Sequence, residues 1–297
     1  MTRLPFPTEL TTMPAFDRAL ARTRGVTDDQ LRPQRFVRVT GGWYVVADQP
    51  LDLPSRCAAL REALPDDAVF SDATAAALLE LPLPAHALGD SLPVHVTLTP
   101  RPVVPQRRDV VVHQRTLPPH PIQQLRDICI TTPDRLFLDL AMALSREDLA
   151  ALGDAMLNNG LVTTGGLADA VAGIKRRRGV RLARATVPLL DGRAQSPPET
   201  LVRIRLDDAG FPAEPQCAVY DQLGRLIGHA DLGYPAARVA VEYEGRHHAE
   251  GAQFDYDIDR YSRFAAAGWL VVRCGRKDLL DGSTELISRV RAALAMR

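Results

Sequence analysis

Lysine is nearly missing from this chain of 297 residues. Lys175 and Lys277 are the only two among 36 cationic side chains, so arginine carries almost all the positive charge. Thirty-six acidic residues balance them, and a formal charge of zero excludes the global basic field of a protein that coats nucleic acid. Any nucleic-acid contact has to come from local patches. Cysteine is scarce too: Cys57, Cys129, Cys217 and Cys274 are scattered without a Cys-x-x-Cys pair. That excludes a zinc ribbon and a disulfide framework, and reads as reduced, mostly packed thiols. No stretch approaches the ~20 apolar residues of a membrane span. The first residues also lack the apolar core of a signal peptide, so a cytoplasmic protein without membrane contact is expected.

What is present is an ordinary globular composition, 46% apolar and 24% charged, in a chain longer than one usual domain. Four segments are expected. Residues 1–50 read as a helix over 15–24, a second helix opened by Thr27, and a hairpin in which Phe36-Val-Arg-Val and Trp43-Tyr-Val-Val flank Gly41-Gly42. Residues 51–172 form an α/β module. Ser71 caps one of its helices, the runs 94–98 and 109–113 are strands, and Pro133 and Ser145 open further helices. Asp139 and Asp154 sit among apolar helical positions and read as structural or partner-facing. Residues 173–185 hold the one dense basic run, with Arg176, Arg177 and Arg178, which is either a solvated linker or a phosphate-gripping arm.

Residues 186–297 are the most legible. A helix begins at Ser196-Pro-Pro-Glu199, strands follow over 216–220, 226–231 and 239–244, then a helix over about 254–267, a strand over 269–274, and a helix capped by Ser283. The fold class is α/β (α+β multidomain), ending in an αβββαβα domain with a mixed sheet. One acid, Asp231, ends the second strand, and Glu242 and Glu244 end the third on the face of Ala240. Carboxylates closing an apolar Val-Ala-Val run are costly unless a cation receives them, and a divalent metal ion is the natural one. Glu199 is explained by a capping box with Ser196 alone, or by approach to the metal site as well. His248 is the candidate for proton transfer, because an imidazole titrates near neutral pH. His247 and His229 carry weaker signals. A zinc site built on Glu242, Glu244, His247 and His248 lacks a known ligand spacing.

The pieces Ser196-Pro-Pro-Glu199, Asp231-Leu-Gly-Tyr-Pro, Glu242-Tyr-Glu244-Gly-x-x-His248, Asp257-x-x-Arg260 and Gly268-Trp269-x-Val-Val-Arg273 occur in order. Together they resemble the PD-(D/E)XK nuclease superfamily, in its branch related to very-short-patch-repair (Vsr) endonucleases. The resemblance implies a restriction-endonuclease-like domain that hydrolyses DNA phosphodiester bonds, in DNA repair or phage defence. It implies Mg²⁺ (Mn²⁺ is also compatible) held by Asp231, Glu242 and Glu244, catalysis by these acids with His248 and Glu199, and DNA phosphates met by Arg260 and Arg273. Glu244 departs from the pattern, which has lysine or, in the Vsr branch, most often aspartate there.

The helix-and-hairpin order of 1–50 partly resembles the winged-helix unit of abortive-infection antitoxins of the AbiEi type. Ala75 to Pro84 and Thr131 to Ala141 resemble that family's middle domain. This implies a DNA-reading or docking unit and a partner toxin or other protein. The alternative to an enzyme is therefore an antitoxin-type regulator that binds DNA or a toxin and keeps a degenerate nuclease fold.

Overall fold

The computed structural model describes residues 6–31, 36–46, 51–85, 93–104, 106–116, 122–245 and 260–297. The chain divides into two compact units, Met1–Leu140 and Ala141–Arg297, each with helices and β-sheet. Residues 141–172, expected with the middle module, thus belong to the second unit.

In the first unit the two-glycine signal produces its hairpin. Phe36–Thr40 and Trp43–Val46 pair antiparallel, and Gly42 takes the turn with φ at 98°. The helix expected over 15–24 is shorter than that. Phe16–Asp17 joins the hairpin as a third strand, and Asp17 caps the helix Arg18–Thr23 by accepting the Leu20 amide at 2.6 Å. Phe16 explains the change. It packs against Phe6, Phe36 and Tyr44 in the core of this sheet, an aromatic burial worth more than one further helical turn. Thr27 opens no helix among the described residues; its amide and hydroxyl meet Gln30 within a turn.

A five-stranded sheet follows in the spatial order Val110–Gln114, Val94–Leu98, Val69–Phe70, Ile128–Thr131, Ile122–Leu125. Ser71 precedes the helix Asp72–Leu78 without capping it, because its buried hydroxyl accepts from Thr97 instead. Asp139 is structural, as its apolar surroundings suggested. It is buried, receives Arg135 Nε at 2.9 Å, and faces Arg115, which also grips Asp72 through two nitrogens.

The second unit contains the sheet that carries the acids. Glu214–Tyr220, Leu226–Tyr234 and Val239–Glu244 run antiparallel in sequence order, and Leu270–Gly275 adds parallel to the last of them. A parallel step needs a crossover, and residues 260–266 in that connection are helical. Both faces are covered. Val202 and Leu206 of helix Pro197–Asp208, with Leu286 and Val290 of helix Thr284–Ala295, pack on Val239, Val241 and Val272. Phe264, Ala267 and Trp269 pack on Val219 and Ala240 from the other side, so Trp269 is core. The order of helix, three strands, helix, strand, helix is the expected one.

Two details differ from expectation. The second strand runs three residues past Asp231 to Tyr234, so the acid lies within the strand. Ser283 precedes the last helix with φ at 61°, and its hydroxyl meets Arg205 Nη1 at 2.8 Å instead of capping. Burial makes the thiols of Cys57, Cys217 and Cys274 poor nucleophiles: all three are free, and burial pushes them to about 12, 11 and 12. A Cβ on Gly233 would stand 2.6 Å from both Cβ and Sγ of Cys217. Gly233→Val is therefore expected to destabilise the protein by roughly 1–3 kcal/mol in urea unfolding, through overpacking. An unchanged midpoint would show that the sheet yields there.

Candidate active site

The alternation of the sheet breaks at Asp231. Its neighbours Ala230 and Leu232 pair with Cys217 and Pro215, which puts Asp231 across from Gln216. Gln216 has φ at 50°, in the left-handed region that non-glycine residues avoid. Ala230 and Leu232, two residues apart, consequently pack into different core clusters. On the other side the ladder to Val239–Glu244 ends at Leu232 and Val241. Just beyond that pair, the Tyr243 amide donates to Asp231 Oδ2 at 2.7 Å, so a side chain replaces a rung of the sheet. That bond fixes Asp231 beside Glu242.

Glu242 is buried, 1% exposed. Its Oε2 accepts from Arg260 Nη2 at 2.7 Å, while its Oε1, shielded from solvent, has no hydrogen-bond partner. Burial pushes Asp231 up to about 6, Glu199 adds to the rise, and the Tyr243 amide and Arg260 oppose it. Burial and the charge of Asp231 push Glu242 up to about 8 against the pull of Arg260. Two carboxylates are thus held where ionising both is unfavourable.

Glu244 is half-buried and ion-paired with Arg273. Tyr261 meets two arginines: the guanidinium carbons of Arg260 and Arg273 are each 5.0 Å from its ring centroid. Its hydroxyl joins them to Glu244 at 3.3 Å. Arg260 and Arg273, expected to meet phosphate, are both engaged with the carboxylates of the site. Glu199 is buried, and its Oε2 accepts from the Gln195 amide at 2.9 Å, one residue before the Ser196 amide that a capping box uses. Its Oε1 takes the Ser196 hydroxyl at 2.8 Å, and Gln216 Nε2 reaches Oε2 at 3.3 Å. Glu199 is thereby tied to the strained residue opposite Asp231.

His247, His248 and Asp257 lie outside the described residues. His229 is exposed on its strand. Arg176 and Arg178 are exposed in the segment before helix Val180–Thr186, and Arg177 is half-buried. Arg184 of the same basic run is structural, donating to the carbonyls of Val171, in the last turn of helix Thr164–Ala172, and of Ile174 just beyond it.

Among the described residues, no group of three or more His, Cys, Asp or Glu side chains is placed to hold a metal ion. The pair Asp231 and Glu242 nevertheless fits a hard cation. Mg²⁺ is usually held by one or two carboxylates and keeps several waters, and the partnerless Glu242 Oε1 is a donor of the right kind. Comparison with known proteins gives no further chemistry. No protein-family model matches the chain, and no solved structure matches it. Two proteins of Mycobacterium tuberculosis, named uncharacterized protein Rv2248 in strain H37Rv and uncharacterized protein MT2308 in strain CDC 1551, are each 32% identical to it over 275 residues. The alignment covers 90% of this chain and 96% of each relative.

Proposed function

We propose, for this chain, which belongs to the same family as the two mycobacterial proteins, that it is a divalent-metal-dependent DNA endonuclease or nickase. The observation that carries this reading is the partnerless Glu242 Oε1 on a buried carboxylate beside Asp231. Asp231 and Glu242 would hold Mg²⁺ or Mn²⁺. When bound, the ion supplies Lewis-acid polarisation of a phosphate oxygen and a hydroxide at working pH. The protein supplies the rest. The Tyr243 amide orients Asp231, Arg260 holds one oxygen of Glu242, and the Glu244–Arg273 pair with Tyr261 keeps a cation at the rim that the phosphodiester can recruit. His248 is the residue assigned to proton transfer. Supercoiled plasmid incubated with Mg²⁺ or Mn²⁺ is expected to become open-circular, and EDTA to prevent it. Equal traces of nicking with and without EDTA defeat the proposal.

The two acids also set a pH test that needs no substrate. Each has a folded-state pKa raised above its unfolded value, so the folded state holds more protons between about 4 and about 8. Stability contributed by these groups is therefore present at low pH and lost as pH rises through that window. A cation on the pair replaces the proton. The melting temperature is expected to rise on adding Mn²⁺ at pH 8 and to change far less at pH 5. An equal response at both values excludes these carboxylates as the binding site.

A second reading has its own observation. Arg260 on Glu242 and Arg273 on Glu244 already give both acids internal cations, as in a nuclease-like scaffold kept for binding alone. In that case, an antitoxin-type regulator, DNA or a partner toxin is bound in EDTA without any nicking.

A further inference from the structure

Four arginines of the first unit have no part in the proposed chemistry, and the structure gathers them around one open cleft of about 920 Å³. Arg38 comes from the strand Phe36–Thr40, Arg56 from the helix Leu53–Arg61, and Arg107 and Arg108 from the segment leading into the strand Val110–Gln114. Asp109 is the only carboxylate among the described lining residues. A chain with no net charge therefore concentrates here, among the described lining residues, four positive charges against one negative. Among the described residues, Arg38, Arg56 and Arg108 make no ion pair and no side-chain hydrogen bond. Arg107 is set in place: its Nη2 donates to the Ala63 carbonyl at 2.8 Å, and its buried Nε has no partner. Gly41 makes the room for it, since a Cβ there would stand 3.0 Å from Arg107 Nη1.

Like charges around one space repel, and a structure that holds them so is stabilised by an anion among them. Guanidinium groups match phosphate oxygens in a planar, two-pronged way and stay charged at any working pH. A single inorganic phosphate would leave most of this cleft empty, whereas a ligand bearing several phosphates would reach arginines on all three segments. We infer that the cleft binds a polyanion of nucleotide chemistry, a free nucleotide triphosphate or a nucleic-acid strand, through Arg38, Arg56, Arg107 and Arg108. The inference does not rest on the nuclease reading, because it needs neither a metal ion nor Asp231 and Glu242.

The test is fluorescence anisotropy on the full chain in EDTA, which keeps metal-dependent cleavage out of the measurement. The probes are a labelled oligonucleotide and a labelled adenosine triphosphate. Arg38→Glu and Arg108→Glu change exposed residues, and a melting curve confirms that each variant is folded. Each is expected to weaken a probe by about tenfold and to lower the slope of log K against log salt by about one. Lys277→Glu, an exposed charge reversal elsewhere, is expected to leave binding unchanged. A response with the oligonucleotide identifies a strand as the ligand, and a response with the nucleotide alone identifies the nucleotide. If wild type binds neither probe, if both variants bind like wild type, or if Lys277→Glu weakens binding equally, the inference is overturned.

Discussion

Asp231→Asn and Glu242→Gln are each expected to slow plasmid nicking by about a thousandfold, or ~4 kcal/mol of transition-state stabilisation. The two variants are expected to differ in stability. At pH 8 without added cation, Asp231 is a carboxylate ionised against the pull of burial, which pushes it up to about 6. Asparagine keeps an acceptor for the Tyr243 amide and sheds the charge, so this variant melts above wild type, by about 2–4 °C for each ~1 kcal/mol gained. Burial and Asp231 push Glu242 up to about 8, so at this pH it is only partly ionised. In Glu242→Gln, glutamine sheds that charge and keeps an acceptor for Arg260, which loses its counterion but keeps the Tyr261 hydroxyl at 3.2 Å. The opposing effects leave this variant melting close to wild type. A group whose removal raises stability while abolishing activity is held in place for chemistry. If both variants nick like wild type, the site is not catalytic. If Asp231→Asn melts lower, its carboxylate is a structural acceptor first.

The largest expected loss of stability is at Asp154. Its side chain is almost fully buried and receives three donors, the Asp191 amide, Thr200 Oγ1 and Arg203 Nη2, each at 2.7 Å. It joins the helix Arg146–Asn158 to the helix Pro197–Asp208 that begins with Glu199. Asp154→Ala orphans all three donors, one of them a cation 12% exposed, and is expected to cost about 3–5 kcal/mol in urea unfolding. Burial nevertheless raises the pKa of Asp154 despite these partners, which shows that the charge is held at a cost. The double variant Asp154→Leu/Arg203→Met is therefore expected to recover the part of the loss that comes from the unpaired guanidinium, because it removes both buried charges together. The Asp191 amide and Thr200 hydroxyl stay without their acceptor. If the single variant unfolds at the wild-type midpoint, the network does not couple the two helices.

The sequence by itself determined the α/β class, the element order of residues 186–297, the hairpin at Gly41-Gly42, and the placing of Glu242 and Glu244 on one side of a strand. These follow from local rules: apolar periodicity, caps and glycine. The same rules failed where a tertiary contact offered more. Phe16 went into a sheet because an aromatic cluster awaited it, and Ser71 and Ser283 left their caps for Thr97 and Arg205. Only the tertiary structure decided that Gln216 is strained opposite Asp231, that Arg260 returns to Glu242, and that Tyr261 meets two arginines. It alone brought Arg38, Arg56, Arg107 and Arg108 to one cleft from three separate segments. The physical reason is the range of the forces. Periodicity and capping act within a few residues and are written in the order of the chain. The desolvation of a carboxylate and the repulsion between arginines depend on what packs beside them, which a linear order does not state.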